Sequence, residues 1–196
     1  MKKDDRYLIR LANTQGFVPR NHAELLQGVR RLSAQGQSVM NLRVTPVALE
    51  FDLFLPAGQP VSDALLAAWS TIGKVVTCRL LQDPTGPLDK RMAVLQSREL
   101  FNEHRFWEVH EVLEMIWKAA SGDEKKLVQG LILTAAALVH VQKNELQIVP
   151  AMLADALERL EGQPSMYHGW NLEDLRAWLK AARDLAAPNT PVPLQV

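Results

Sequence analysis

Two hydrophobic periods divide this chain. As far as about residue 81 the apolar residues come in short runs suited to strands; beyond about residue 90 they recur every three or four positions, as on one face of a helix. The change falls at Asp83-Pro84-Thr85-Gly86-Pro87, a turn-forming cluster. In the first part the pattern predicts strands at Tyr7–Leu11, Val39–Val44, Val47–Leu55 and Val75–Leu81. The third alternates: Val47, Leu49, Phe51, Leu53 and Leu55 share one side, with Glu50 and Asp52 on the other, which predicts a half-buried strand. Two helices separate these runs. One opens at Asn21, with Glu24 three residues on, runs through about Ala34 and ends at Gly36. The other is capped by Ser62, reaches about Ile72 and ends at Gly73. The order βαββαβ predicts a ferredoxin-like lobe. Pro46 marks the middle turn, although one long bent strand fits the same residues.

The second part reads as helix throughout. Lys90–Leu100 leads into an Asn102-Glu103-His104 turn, and a second helix spans about Arg105–Ala119. Ser121-Gly122-Asp123 breaks the chain before a third helix, about Glu124–Gln142. A fourth spans Ile148–Leu160, with Pro150 in its first turn and Gly162 at its end. A fifth starts at Asn171 and reaches about Ala187. One helical pair has the look of a tetratricopeptide unit, but no further copy follows, so a solenoid is set aside. The fold class is therefore α+β, with a ferredoxin-like lobe at 1–83, a linker at 84–89, an all-α bundle at 90–187 and a frayed, proline-containing tail at 188–196.

Composition narrows the function classes. The 196 residues carry 22 Lys+Arg and 22 Asp+Glu, so there is no net field to draw nucleic acid or an anionic membrane. Residues 1–90 carry 11 basic against 8 acidic side chains, an asymmetry too small to name a partner. The single Cys78 excludes an internal disulfide. The N-terminus lacks the apolar stretch of a signal peptide. The longest uncharged apolar run, Leu131–Val139, falls short of the ~20 residues that span a bilayer. A cytoplasmic protein is expected, with no membrane and no nucleic-acid partner, and with self-association through the N-terminal sheet. Tyr7, Phe51 and Phe54 sit where RNA-recognition modules place stacking residues. The basic, glycine-rich pattern of those modules is missing, and Glu50 and Asp52 would repel phosphate.

The chemistry concentrates on the second bundle helix. Phe106, Val109, Leu113, Ile116 and Trp117 form an apolar arc at ~100° per residue. His110 falls inside that arc and Glu114 at its edge, with Glu111 further out and Glu108 toward water. The next helix, Leu127–Val141, carries only Gln129, Thr134 and His140 as polar side chains. Folded across the intervening turn, residues whose numbers sum to about 242 should lie level. Glu114 then meets Gln129, and His110 lies near Ile132 or Leu133. His140 stands level with Asn102 and Glu103, as a second polar spot.

These residues resemble the family catalogued as domain of unknown function 309. The likeness rests on Phe101-Asn102, Phe106, Glu108, the run His110-Glu111-x-Leu113-Glu114-x-x-Trp117, Gln129-Gly130, His140 and Asn144. The resemblance implies a compact helical bundle and assigns no activity. The N-terminal lobe lies outside it.

Three readings of the His110 spot compete. A metal site is one, because His110-Glu111-x-x-Glu114 is one residue from the zinc-binding H-E-x-x-H helix. The further ligands are missing, since Gln129 is a poor one, so neither metal nor cofactor is expected. An acid–base pair is the second: His110 and Glu114 would act, with Glu111 at the mouth and Gln129 orienting. The third is a buried hydrogen-bonded network of His110, Glu114 and Gln129 that sets helix register. That structural network, in a binding or assembly module, is the reading carried forward. Trp107, Trp117, Gln129 and His140 are its candidate seam residues.

Overall fold

The structure, a computed structural model, describes residues 4–33, 37–81 and 89–184. Two compact units form, one built on residues 1–85 with 142–144 and the other on residues 86–141 and 145–196. Each has its own hydrophobic cluster. Apart from Asp89, the predicted linker at 84–89 lies outside the described residues. So do the tail at 188–196, the ends at Ala34 and Gly36 predicted for the first helix, and the end at Ala187 predicted for the last.

The first unit contains β1 (Asp5–Ala12), α1 (His22–Leu32), β2 (Ser38–Val44), β3 (Ala48–Leu55), α2 (Asp63–Trp69) and β4 (Val75–Leu81). Its sheet runs β2-β3-β1-β4, with every neighbouring pair antiparallel. This is the βαββαβ order read from the sequence, with β1 and β3 in the middle. The bent-strand alternative fails at Pro46-Val47. There the Thr45 backbone N–H donates to the Ala48 carbonyl at 2.9 Å, and the Ala48 N–H donates to the Thr45 hydroxyl at 2.8 Å, closing a tight hairpin. Phe51 lies in the core, edge-on to Trp69 at 5.0 Å between centroids, so it offers no stacking face. α2 ends at Trp69, short of the predicted end at Ile72-Gly73. Gly73 is a position of close approach, where a Cβ would collide with the Ala12 carbonyl oxygen.

The expectation of a half-buried β3 is overturned. Glu50 and Asp52 are as buried as the apolar residues between them, at 2% and 0% exposed. Buried carboxylates need partners, and cross-strand arginines supply them. Asp52 meets Arg6 at 3.0 Å and Arg43 at 3.4 Å, and it accepts from the Asn41 amide at 2.9 Å. Glu50 meets Arg10 at 3.3 Å and Arg43 at 3.6 Å. Alternation reports the two faces of a strand; it does not report that the polar face is dry.

The second unit contains α3 (Lys90–Asn102), α4 (Phe106–Ala119), α5 (Gly122–Gln142), α6 (Val149–Leu160), a small hairpin of β5 (Met166–Tyr167) and β6 (Trp170–Asn171), and α7 (Leu172–Asp184). α3 packs on α4 and α6 on α7. Two helix ends share one device, a residue with left-handed backbone closing the last turn. After α3 it is His104, φ 61°, with the Arg105 N–H donating to the Leu100 carbonyl at 2.9 Å. After α5 it is Asn144, φ 60°, with the Glu145 N–H donating to the His140 carbonyl at 2.9 Å. Gly130 lets α5 approach α6 closely: a Cβ there would lie 2.7 Å from the Leu160 Cγ and 3.2 Å from the Ala156 carbonyl oxygen. Asn171 caps α7 as predicted, accepting from the Glu173 and Asp174 N–H groups, each at 3.1 Å.

Candidate functional site

The core line of α4 is Phe106, Val109, Leu113 and Ile116, all buried. Each is followed by one residue of a second line: Trp107, His110, Glu114 and Trp117. One step along a helix turns ~100°, so the second line runs along the flank of the core line. All four of its side chains are half-buried. Trp107 stacks on His110, 5.7 Å between centroids and 11° between planes. His110 Nε2 stands 3.9 Å from Glu114 Oε1. At the far end the Lys125 ammonium lies 4.1 Å from the centre of the Trp117 ring.

This geometry corrects two expectations. Glu114 is not a buried partner: its side chain is 47% exposed, and its contact with His110 is too long for a hydrogen bond. Glu108 does not face water. Arg105, three residues earlier, clamps it with two bonds, Nε to Oε1 at 2.8 Å and Nη2 to Oε2 at 2.7 Å, and its side chain is 12% exposed. Burial alone would lower the Arg105 pKa. Its bonds to Glu108 and Glu103 outweigh that and raise it. Residues 108 and 114 sit on opposite flanks of one core line, so helix phase could not rank them.

The predicted network does not close. Among the described residues His110 Nδ1 and Trp117 Nε1 are buried without a hydrogen-bond partner, and half-buried Gln129 bonds to neither His110 nor Glu114. Glu111 is half-buried beside the line. His140 is held apart, its Nδ1 2.5 Å from Glu145 Oε2 across the turn that Asn144 closes. Among the described residues no three His, Cys, Asp or Glu side chains converge as a metal set.

A further cluster went unread in the sequence. The Lys90 ammonium donates to both oxygens of Glu124, at 3.1 and 2.8 Å, and the Tyr167 hydroxyl donates to Glu124 Oε1 at 3.0 Å. The bond from Lys90 holds the Glu124 carboxyl below its ordinary range. Burial, then the bond to Glu124, raises the Tyr167 phenol. The hairpin that carries Tyr167 turns through His168, φ 43°, and Gly169, φ 93°, the two-residue turn that fits strand twist. An X-Gly pair between Tyr167 and Trp170 was the available signal.

Residues 94–151 match the family model described as domain of unknown function (DUF309). An uncharacterized protein of Aquifex aeolicus (strain VF5) is 30% identical over 86 residues, which cover 43% of this chain; the chain spans 26% of that relative's length. The crystal structure of a conserved hypothetical protein from Thermus thermophilus is 38% identical, covering 47% of this chain and 95% of that one, with a TM-score of 0.40. No helix among the described residues is long and apolar enough to cross a membrane. The matched segment, residues 94–151, is the one that carries Phe101, Glu108, His110, Glu114, Trp117 and Gln129-Gly130, so the resemblance to the DUF309 family holds for that part of the chain.

Proposed function

We propose that this chain is a binding and assembly module. The contact surface is the flank of α4 that carries Trp107, His110, Glu114 and Trp117, and the sheet of the first unit supports self-association. The observation that carries the reading is that line of four half-buried side chains one residue off the core. Large aromatic side chains left partly open, with polar groups between them, have the composition of interface centres.

The acid–base alternative draws on the 3.9 Å approach of His110 to Glu114. The exposure of Glu114 counts against it, because a solvated carboxylate lacks the closed environment that tunes a catalytic pair. A photoreactive residue placed at position 114, compared with one at exposed Glu173 on α7, tests the reading in cells. The expected result is a discrete cross-linked protein from position 114, absent from 173 and lost when Trp107→Ala is added. Equal products from both positions, or none from 114, would contradict it.

A further inference from the structure

The half-buried line on α4 has the spacing of a coiled-coil seam. Trp107, His110, Glu114 and Trp117 follow one another at three, four and three residues, the spacing with which one helix packs along another. The core line, Phe106, Val109, Leu113 and Ile116, has the same spacing and packs inside its own unit. The second seam stays partly open. Glu114 near its middle has a side chain 47% exposed, and Trp107 and Trp117 at its ends are half-buried.

The seam is its own complement when reversed. An antiparallel copy centred level with Val112 sets Trp107 against Trp117 at each end and His110 against Glu114 twice between them. An imidazole N–H donates to a carboxylate whether or not the ring is charged. Beside the seam, Glu111 and Lys118 each stand one residue past His110 and Trp117. Side chains lean toward the N-terminus of their helix, so Glu111 of one copy and Lys118 of the other lean toward each other, again twice. A parallel copy would instead set His110 on His110 and Glu114 on Glu114. An antiparallel copy slid by one heptad would match only half of the seam.

We infer that two copies of this chain associate through α4, antiparallel about a two-fold axis level with Val112. This rests on the α4 contact surface proposed above and names its occupant. A two-fold interface is self-complementary, with one residue meeting a second as the second meets the first. Charge complementarity within this one seam selects a second copy as occupant and the antiparallel direction.

Light scattering on the full chain tests this. Wild type should be a dimer. Glu111→Lys and Lys118→Glu should each raise the dimer dissociation constant about tenfold or more with unchanged circular dichroism, because like charges then meet twice across the axis. An equimolar mixture of the two should recover wild-type affinity, since each flanking pair is then lysine against glutamate. The cross-linked product from position 114 should have twice the mass of the chain. A product with a different protein alone would keep the contact surface and overturn the second copy. A monomeric wild type would overturn the inference, and with no product from position 114 the surface falls too. A dimer that both charged variants leave intact would overturn the pairing through α4. Charged variants that dissociate but do not recover on mixing would overturn the antiparallel register. Should either charged variant unfold, the position of the link decides. From position 114 it must fall within one turn of His110 of the second copy, and a link elsewhere overturns the inference.

Discussion

Lys125 on α5 lays its ammonium over the Trp117 ring of α4, 4.1 Å from the centroid. The contact marks the register of the two helices, and it is the register read from the length of the turn between them. It also defines the end of the half-buried line on α4. A cation over a partly exposed indole contributes about 0.5–1 kcal/mol. Lys125→Gln should lower stability by that amount and change the emission of Trp117. Both are measured in one fluorescence-monitored urea titration.

Asp52 has the most demanding position in the first unit. It is fully buried and meets Arg6, Arg43 and Asn41. Breaking a buried ion pair by removing one partner costs about 3–5 kcal/mol, because the other charge is stranded. Asp52→Ala should lose that much in chemical denaturation. A loss as small as that of an ordinary surface substitution would mean that the arginines reach water.

Gly130 tests the packing of α5 on α6. An added methyl group gains helix propensity of about 1 kcal/mol. It also meets Leu160 Cγ at 2.7 Å and the Ala156 carbonyl oxygen at 3.2 Å, and overpacking costs about 1–3 kcal/mol. The clash involves backbone and the branch point of Leu160, so Gly130→Ala should lower the thermal midpoint. A raised midpoint would show that the helices separate freely.

The Lys90–Glu124–Tyr167 cluster gives a pH dependence with two limbs. Glu124 is held below its ordinary range, chiefly by Lys90. Its contribution is present above the unfolded carboxylate pKa and is lost as pH falls through the lower, folded value. Tyr167 is raised, chiefly by burial. Its contribution is present below the unfolded phenol pKa and is lost as pH rises through the higher, folded one. Glu124→Gln should flatten the acid limb and weaken the alkaline one, as followed by thermal midpoints across pH. Unchanged limbs would remove the cluster from the stability of this unit.

Much of the fold was legible because it depends on period and punctuation. Short apolar runs, one of them alternating, placed the four strands, Ser62 and Asn171 marked helix starts, and the apolar stripe of α4 placed its core line. The rest depends on what lies against each face. Glu50 and Asp52 alternate like solvent residues, and their burial follows from arginines on β1 and β2, which no single strand reveals. Glu108 and Glu114 flank the same stripe; the difference between them is Arg105, whose i,i+3 spacing to Glu108 was present in the sequence and outweighs phase. The candidate residues Trp107, His110, Glu114 and Trp117 do come together, on an open flank instead of in a closed seam. Gln129 and His140 do not join them.

The central claim is that this flank is a surface and not a structural network. The most direct test is the urea midpoint of Glu114→Ala against that of Glu108→Ala. Glu108 is bound twice by Arg105 and is nearly buried, so its removal should cost about 1–3 kcal/mol. Glu114 is half-exposed and bonds to nothing within hydrogen-bond distance, so its removal should stay within about 0.5 kcal/mol. A larger loss from Glu114→Ala than from Glu108→Ala would contradict the account and restore the buried network.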